Sequence, residues 1–399
     1  MWQTVKLKDI CTVFTDGDWI ETKDQSAEGI RLVQTGNVKT GSFADRKDKA
    51  RYISEETFGR LNCTEVKEGD ILVSRLPEPV GRACVIPKLQ EKLITAVDCT
   101  VIRTSKEVLA AYLNYFMQSP QYFSLVQDKV TGATRQRISR KNLGEVPVSF
   151  PPLAEQQRIV AKLDAAFAEI DRAIKLVEAK QANAEKLKAS LLDASLKGDD
   201  VLCKTVKLGE VIEKTETVNP TSKFPNDSFE YIDVSSVSKE RLAIKETQTL
   251  LGNDAPSRAR RRVNKDDVIF ATVRPTLKRV AVVPRELDGQ ICSTGYIVLR
   301  AKIDTLLPRY LFHWMTSQFV MDYVESVQTG ASYPAVTDKQ VKDIEIQLHP
   351  LAEQQRIVAK LDAAFTEIDT IIATTTFAKE NYLALKASIL SQELRSEAA

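Results

Sequence analysis

The sequence predicts an α+β fold: two α/β domains in tandem, separated by two long helices that form an antiparallel coiled coil, with pseudo-twofold symmetry. Three observations in the 399 residues lead to this prediction. The chain repeats itself once, each repeat begins with short β-branched runs, and each ends in a long amphipathic segment free of glycine and proline. Alternating β-branched runs are typical of strands, and apolar residues three and four apart are typical of helices.

The repeat is clearest where "PLAEQQRIVAKLDAAFAEID" (152–171) recurs as "PLAEQQRIVAKLDAAFTEID" (350–369), with Ala168 replaced by Thr366. More distant copies align at a nearly constant offset, such as "GDILVSRLPEPVGRACVIP" with "DDVIFATVRPTLKRVAVVP". The period is far longer than that of a solenoid repeat. It indicates a duplicated domain that is followed each time by a duplicated helix.

Each domain is expected to begin with strands and to finish with helices and one last strand. The strand-like runs are "IRLVQTGNV", "DILVSRL", "ACVIP" and "TVIRT" in the first domain and "FEYIDVS", "DVIFATV", "VAVVP" and "YIVLR" in the second. Helical runs extend from about Lys106 to Lys129 and from about Pro308 to Val327, ahead of the strands "EVPVSF" and "DIEIQL". These patterns predict domains at 1–151 and 199–349 and spacer helices at 152–198 and 350–395.

The repeated segments predict helices of about 45 residues, or about 70 Å, which exceeds the width of either domain. Pro152 and Pro350 suit a first helical turn. A narrow apolar stripe follows in each copy: Ile159, Leu163, Phe167, Ile170, Ile174, Val177, Ala184, Leu187 and Leu191, and then Ile357, Leu361, Phe365, Ile368, Ile372, Thr375, Tyr382, Leu385 and Ile389. Such a stripe needs a partner helix, and the other copy is the nearest one. Two separate helices, each lying on its own domain, are the alternative that this length disfavours.

Composition narrows the class of protein. The formal net charge of +2 implies no nucleic acid by itself, and no segment has the apolar length of a membrane span or signal peptide, so we expect a cytoplasmic protein with no membrane partner. The cysteines are scattered without a paired motif, which is typical of small buried apolar residues: Cys11, Cys63, Cys84, Cys99, Cys203 and Cys292.

Motifs for catalysis are missing from the sequence. His313 and His349 have no neighbouring cluster of metal-ligating residues, and there is no phosphate-binding loop or nucleophile elbow. We therefore expect no catalytic residues, no metal and no enzyme activity in this chain on its own.

The duplication suggests two reading heads, because duplex DNA has local twofold axes and two heads in one chain can read two different half-sites. The helices repeat their outward polar residues as well as their apolar ones, which suits binding two copies of one partner. The predicted partner-binding residues are Gln156, Gln157, Arg158 and Lys162, with Gln354, Gln355, Arg356 and Lys360 in the second copy.

These motifs resemble one family. "PLAEQQRIVAKLD" after a strand that ends in proline, twice in the chain, is similar to the specificity (S) subunit of type I DNA restriction-modification enzymes, as are the "GDILVSR" and "DDVIFATVRP" runs and the "TGA" before each last strand. The resemblance covers essentially the whole chain. It implies two target-recognition domains that read a bipartite, asymmetric site, and a helix pair that sets the gap between the half-sites.

The resemblance also implies partners and cofactors. Two methyltransferase subunits would use S-adenosylmethionine to methylate N6 of an adenine flipped out of each half-site, and restriction/translocase subunits would use ATP and Mg. On this interpretation those cofactors belong to the partner subunits, and none belongs to this chain.

Candidate DNA-binding residues follow from loops that differ between the heads. Arginine and glutamine are the side chains that pair best with guanine and adenine in the major groove. The predicted base-reading set is Trp19, Gln34, Thr35, Asn37, Arg75, Arg135, Gln136 and Arg137 in the first head, and Ser235, Ser236, Thr272, Arg274, Ser332 and Tyr333 in the second. Trp19 is equally consistent with a core aromatic. The predicted phosphate contacts are Arg258, Arg260, Arg261 and Arg262, with the basic segment 46–51.

Two other functions compete with this hypothesis. A coiled-coil adaptor whose heads bind protein would account for the helices but not for the basic loops on both heads. A standalone nuclease would need a carboxylate cluster for its metal, which the sequence does not contain.

Overall fold

The computed structural model describes residues 2–132, 134–197 and 203–395, so the predicted boundary at 198/199 lies outside the described residues. The chain divides into two compact units, Met1–Val177 with Phe377–Ala399 (unit 1) and Glu178–Thr376 (unit 2). Each unit holds one α+β head and parts of both long helices. This architecture confirms the predicted fold class.

The head of unit 1 is built on two four-stranded sheets. Its strands are β1 (Gln3–Lys6), β2 (Cys11–Asp16), β3 (Gln25–Ser26), β4 (Ile30–Val33), β5 (Arg51–Ile53), β6 (Ile71–Ser74), β7 (Ala83–Val85), β8 (Leu93–Thr95), β9 (Cys99–Thr104) and β10 (Pro147–Phe150). The order is β2-β9-β6-β7 in the antiparallel sheet and β3-β5-β4-β8 in the other, where β4 and β8 are parallel. Its helices are α1 (Glu55–Leu61), α2 (Ala110–Phe116), α3 (Pro120–Gln127) and α4 (Arg140–Gly144), before the long α5 (Leu153–Leu196).

Unit 2 repeats this plan with a shorter antiparallel sheet. Its strands are β11 (Lys204–Lys207), β12 (Ser228–Ile232), β13 (Val237–Ser238), β14 (Ala243–Ile244), β15 (Gln248–Leu251), β16 (Ala259–Arg262), β17 (Val268–Ala271), β18 (Val280–Val282), β19 (Ile291–Ser293), β20 (Tyr296–Leu299) and β21 (Glu345–Leu348). The sheets have the orders β18-β17-β20 and β15-β12-β19-β16, with β12 and β19 parallel. Its helices are α6 (Pro220–Lys223), α7 (Pro308–Thr316), α8 (Gln318–Val327), α9 (Asp338–Lys342) and α10 (Leu351–Glu393).

The predicted single helical runs of the heads are each two helices. Ser119 separates α2 from α3, and Ser317 separates α7 from α8. Each serine is an N-cap whose hydroxyl accepts a hydrogen bond from the backbone N–H three residues later. Periodicity alone did not reveal this break because the apolar pattern continues across both caps.

The long helices pack against each other in antiparallel fashion. In unit 1, Lys162 pairs with Glu393 (2.6 Å) and Asp171 with Lys386 (2.7 Å), so residue numbers rise along α5 as they fall along α10. In unit 2, Lys188 of α5 pairs with Asp369 of α10 (2.5 Å). The core of each head includes the first turns of its own long helix and the last turns of the other one.

The predicted apolar stripe is wrong towards the end of each helix. Leu187 is 57% exposed and Leu385 is 46% exposed, whereas Leu192 and Leu390 are buried. The stripe shifts because the last turns of each helix pack on a head core as well as on the neighbouring helix. Every helix within the described part of the chain is either too short or too polar to cross a membrane.

Candidate nucleic-acid interface

Two buried glutamines fasten the heads to the long helices. Gln156 is fully buried: its Oε1 accepts from the N–H of Leu109 (2.9 Å), and its Nε2 donates to the carbonyls of Glu107 (2.9 Å) and Pro151 (2.8 Å). Gln354 is fully buried as well and makes the equivalent three bonds in unit 2, to Leu307, Thr305 and His349. The prediction that these two glutamines bind a partner is therefore wrong, because all their polar atoms serve the loop before the head helices.

A second contact at this junction differs between the units. In unit 1, Tyr115 donates to Asp164 of α5 (2.5 Å). In unit 2, His313 Nε2 lies 3.0 Å from Asp362 of α10, and Arg309 donates to the same carboxylate oxygen (2.5 Å). Burial and the Arg309 charge lower the pKa of His313 to about 4, although Asp362 opposes this shift.

The remaining predicted partner-binding residues are on the surface. Gln157 and Gln355 are exposed, and Arg158 and Arg356 each form a two-bond pair with the glutamate three residues before them. Lys162 is exposed and paired with Glu393 of α10. Lys360 is exposed and forms no ion pair with any residue that the structure describes.

The predicted base-reading turns are equivalent 3-10 turns at Thr35–Asn37 and Val234–Ser236. In both, the side chain of the last residue accepts from the N–H three residues earlier: Asn37 Oδ1 from Gln34 (2.9 Å) and Ser236 Oγ from Asp233 (3.0 Å). Asn37 also donates to the carbonyl of Ala44 (2.9 Å), so this buried side chain is used within the fold. Gln34, Thr35 and Ser235 retain exposed surface.

An arginine that the sequence analysis did not single out holds each turn in place. Arg82 donates from Nη2 to the carbonyl of Thr35 (2.9 Å) and from Nε to that of Val38 (2.8 Å), and further bonds reach the β6–β7 loop. Arg279 does the same in unit 2, donating to Val234 (2.7 Å) and Val237 (3.3 Å). The two arginines align in the sequence repeat, and that alignment is the signal that could have revealed them.

Arg75 and Thr272, at equivalent strand ends, are buried. Arg75 donates from Nη2 to the carbonyl of Val97 (2.5 Å) and from Nη1 to that of Ile138 (3.3 Å), while its Nε lies 3.3 Å from Asp16. Thr272 Oγ1 donates to the carbonyl of Gly295 (3.1 Å). The predicted role of these two side chains in base reading is therefore wrong, since both fasten the loops of their own head.

The loops after the head helices are hairpins with divergent tips. Thr131 and Arg137 exchange backbone hydrogen bonds (both 2.9 Å), and the second head has the same hairpin between Thr329 and Ala335. Gly132 and Gly330 adopt φ values of +97° and +100°, and a Cβ there would lie 2.4 and 2.8 Å from backbone oxygens.

The hairpin tips present exposed side chains in both heads. Arg135, Gln136 and Arg137 are exposed in unit 1, and Arg137 also lines a cavity of about 550 Å³ with Arg140 and Lys141. In unit 2 the tip carries Ser332 and Tyr333, where the Tyr333 ring is 72% exposed and lies 4.8 Å from the Arg274 guanidinium. Backbone bonds from residues 138 and 336 to the carbonyls of positions 75 and 272 fix each hairpin to the residue that follows β6 or β17, at the start of the loop that leads to the arginine anchor.

A basic groove lies next to the first turn. It has a volume of about 330 Å³ and joins two sets of predicted residues that are separate in the sequence: Gln34, Thr35, Gly36 and Asn37 with Arg46, Lys49 and Arg51. Arg31 on its floor is paired with Asp45 (2.6 Å) and Glu91 (3.2 Å). The three exposed basic residues form no ion pair with the described residues and leave the rim positive.

The arginine run of unit 2 does not form one patch. Arg261 makes a two-bond pair with Asp338 (2.7 and 3.0 Å), so its guanidinium is already engaged within the head. Arg260 bonds to the carbonyl of Ala259, and Arg262 bonds to that of Gly289 and lies 3.8 Å from Glu216. Only Arg258 of the four is exposed without an ion pair or a side-chain hydrogen bond to a described residue.

Trp19 is 71% exposed, so the structure excludes its alternative interpretation as a core aromatic. It follows Asp18, whose N–H donates to the carbonyl of Thr95 (2.9 Å). Arg75 bonds to the backbone of the next residues, 97 and 98. Trp19 therefore lies near the same corner as the turn and the hairpin of unit 1.

Known proteins resemble this chain in sequence over most of its length. The family model described as "Type I restriction modification DNA specificity domain" matches residues 1–181 and 201–376. The specificity subunit of the type I restriction enzyme EcoKI of Escherichia coli is 23% identical over 92% of this chain and 82% of its own length. The putative MjaX specificity subunit of Methanocaldococcus jannaschii is 24% identical over 98% of this chain and 92% of its own.

Solved structures share the fold. A chain from "Structural basis underlying complex assembly and conformational transition of the type I R-M system" superposes with a TM-score of 0.78 at 18% identity, covering 99% of this chain and 98% of its own. The HsdS subunit of Thermoanaerobacter tengcongensis gives a TM-score of 0.56 at 19% identity, covering 99% and 97%. With two matching domains over most of its length, the chain belongs to the family of type I restriction-modification specificity subunits.

Proposed function

We propose that the chain is the non-catalytic DNA-reading subunit of a type I restriction-modification system in the cytoplasm. Each head reads one half of a bipartite, asymmetric duplex site, and the helix pair sets the spacing between the halves. Two methyltransferase subunits dock on the helices, restriction/translocase subunits join through them, and S-adenosylmethionine, ATP and Mg belong to those partners. Adenine N6 methylation and DNA cleavage are then reactions of the assembled complex.

One observation carries the proposal. Both heads build the same corner from a 3-10 turn, an arginine anchor and a hairpin, yet the exposed side chains on that corner differ. A common scaffold with divergent exposed polar residues is expected where two different base sequences must be read, because base edges specify sequence and the rest positions the protein. The basic groove beside residues 34–37 offers phosphate contacts in unit 1.

The decisive experiment is to express the chain with its methyltransferase partner and to map methylated adenines by long-read sequencing. A bipartite motif with two unlike halves is the expected result. Binding of the purified complex to that site should weaken steeply as salt rises, since phosphate neutralisation releases counterions. Absence of any motif, together with binding that is insensitive to salt, would favour a protein-binding adaptor instead.

The first half-site can be tested with Arg135. Replacing the exposed Arg135 by alanine should weaken binding by about 1–3 kcal/mol and relax one base position in one half-site. The measurement is the methylation motif and the affinity of the variant complex. Arg261→Ala is the matched control, because its guanidinium is already paired with Asp338. An unchanged motif for Arg135→Ala would remove this residue from the reading set.

The proposed methyltransferase surfaces are the exposed repeated residues of the helices: Gln157, Arg158 and Lys162 in α5, and Gln355, Arg356 and Lys360 in α10. Repetition of exposed residues suits a partner that binds twice. Charge reversal of Arg158 together with Gln157→Ala should remove one of two bound methyltransferases, as measured by the mass of the complex in solution. Retention of both copies would place the docking surface elsewhere.

A further inference from the structure

We infer that Arg274 and Tyr333 form a preformed guanine-reading pair, so that one half-site of the target contains a G·C pair read by Arg274. This inference rests on the proposed function and adds a named base to it. It concerns the part of unit 2 where the loop between β17 and β18 meets the second hairpin.

The backbone around Arg274 is held in an unusual conformation. Its φ and ψ are 49° and 56°, in the left-handed region that few residues other than glycine adopt. Its N–H donates to the carbonyl of Pro334 in the hairpin (2.7 Å), which ties the residue to the loop that carries Tyr333. Backbone conformations of this kind persist where the surrounding structure imposes them, and they are enriched at ligand-binding positions.

The guanidinium is oriented by the hairpin tip. It lies 4.8 Å from the centroid of the Tyr333 ring, and Nη2 lies 3.5 Å from the carbonyl oxygen of Ser332. A guanidinium that stacks on an aromatic face loses less freedom on binding than a free arginine does. The pair therefore presents a planar fork of donors whose position is restrained by the hairpin tip.

Arg274 is exposed, and its guanidinium has no acidic partner among the residues that the structure describes. Several other arginines of unit 2 are committed, Arg261 to Asp338, Arg300 to Asp267, and Arg279 to two backbone carbonyls, whereas Arg258 is exposed and unpaired like Arg274. An exposed guanidinium without an acidic partner is free to bind an acceptor from outside the chain. Guanine offers two acceptors in the major groove, O6 and N7, whose spacing fits both arms of the fork.

A phosphate would also accept such a fork, but the comparison of the heads favours a base. Phosphates are the same in both half-sites, so a phosphate contact has no reason to change between heads. In the first head, the equivalents of Arg274 and Tyr333 are Pro77 and Arg135. The exposed arginine thus lies on the hairpin in the first head and on the loop after β17 in the second. Residues that differ between the heads on the same backbone framework are expected at positions that determine sequence specificity.

The test uses the complex of this chain with its methyltransferase partner. The wild-type motif is mapped first, and the complex is then assayed on duplexes that carry each base pair in turn at every G·C position of the half-sites. Arg274→Ala should reduce the preference for G·C, about 5- to 150-fold in the wild type, to near equality at one position. The other half-site should be read as before, which shows that the variant is folded and assembled.

A guanine analogue makes the test specific for N7. Substituting 7-deazaguanine at the sensitive position should weaken wild-type binding about tenfold and should leave Arg274→Ala unaffected. Tyr333→Phe should keep the preference, because the ring remains, and Tyr333→Ala should reduce it. Arg258→Ala, another exposed unpaired arginine, should weaken binding to all sequences alike.

Two results would overturn the inference: a motif without G·C in either half-site, or an Arg274→Ala complex with unchanged base preferences. A wild-type complex that methylates no bipartite motif at all would instead refute the proposed function, and the inference with it.

Discussion

Tyr115 of unit 1 and His313 of unit 2 occupy the same place at the junction of head and helix, and each contacts the equivalent aspartate of the repeated helix. A few residues away, Gln156 and Gln354 make the same three hydrogen bonds in both units. The buried part of the junction is thus unchanged, whereas a partly buried contact beside it has diverged. The heads follow a similar rule: an arginine anchor stands at the same position in both, while the exposed loop tips differ.

The largest expected effect tests the buried glutamine bonds that the two units share. Gln156→Ala and Gln354→Ala should each destabilise their own unit by about 2–4 kcal/mol, since each leaves buried N–H and carbonyl groups unpaired. Hydrogen exchange of the segments around residues 107–109 and 305–307 measures the loss in each unit separately. Gln157→Ala and Gln355→Ala, at the exposed neighbouring positions, should change stability by less than about 0.5 kcal/mol. Clearly unequal losses would break the equivalence.

The arginine anchors should show a graded difference. Arg82 donates to four backbone carbonyls, and Arg279 to two. We expect Arg82→Ala to cost about 2–3 kcal/mol and Arg279→Ala about 1–2 kcal/mol, because more buried carbonyls lose their partner in unit 1. Exchange rates of the turns at residues 35–38 and 234–237 report each loss. A larger effect in unit 2 would reverse the comparison.

The stability of the two units should respond differently to acid. Burial and the charge of Arg309 lower the pKa of His313 to about 4 in the folded protein. In the unfolded chain the same imidazole takes up a proton near its ordinary pKa of 6.5. Between these two pH values, His313 is therefore neutral in the folded unit 2 and protonated in the unfolded chain. Stability from this group is complete above pH 6.5 and is lost as pH falls towards 4, at roughly 2 kcal/mol between pH 7 and 5.

Hydrogen exchange at pH 7 and 5 should therefore show unit 2 weakening more than unit 1. His313→Tyr, which introduces the residue found in unit 1, should remove the difference between the units, and Tyr115→Phe is the control that adds no titrating group. Equal acid sensitivity of wild-type units would contradict the assignment to His313.

The smallest effect concerns the helix surface. Lys162 pairs with Glu393, whose side chain is 8% exposed, while the equivalent Lys360 has no ion-pair partner among the described residues. Lys162→Ala should cost up to about 1 kcal/mol, and Lys360→Ala should cost nothing measurable. Thermal unfolding at low and high salt compares them, and the cost at Lys162 should shrink as salt screens the pair.

Much of the fold follows from patterns along the chain. The duplication, the two long helices and the divergent loops are visible in the sequence because repeats and apolar periodicity are properties of neighbouring residues. The serine caps within the head helices were missed because the apolar period runs through them. The end of the apolar stripe was missed because Leu192 and Leu390 pack on head cores that lie far away in sequence.

The sequence by itself therefore determined the duplicated plan, the family and the loops that differ. Only the tertiary structure decided which polar residues are available. Gln156 and Gln157 are adjacent and chemically identical, yet one is fully buried and the other exposed. Arg75 and Arg274 differ in the same way: the Arg75 side chain is buried and bonded within its head, whereas Arg274 is exposed beside the Tyr333 ring. Burial depends on groups contributed by distant segments, and no local pattern records it.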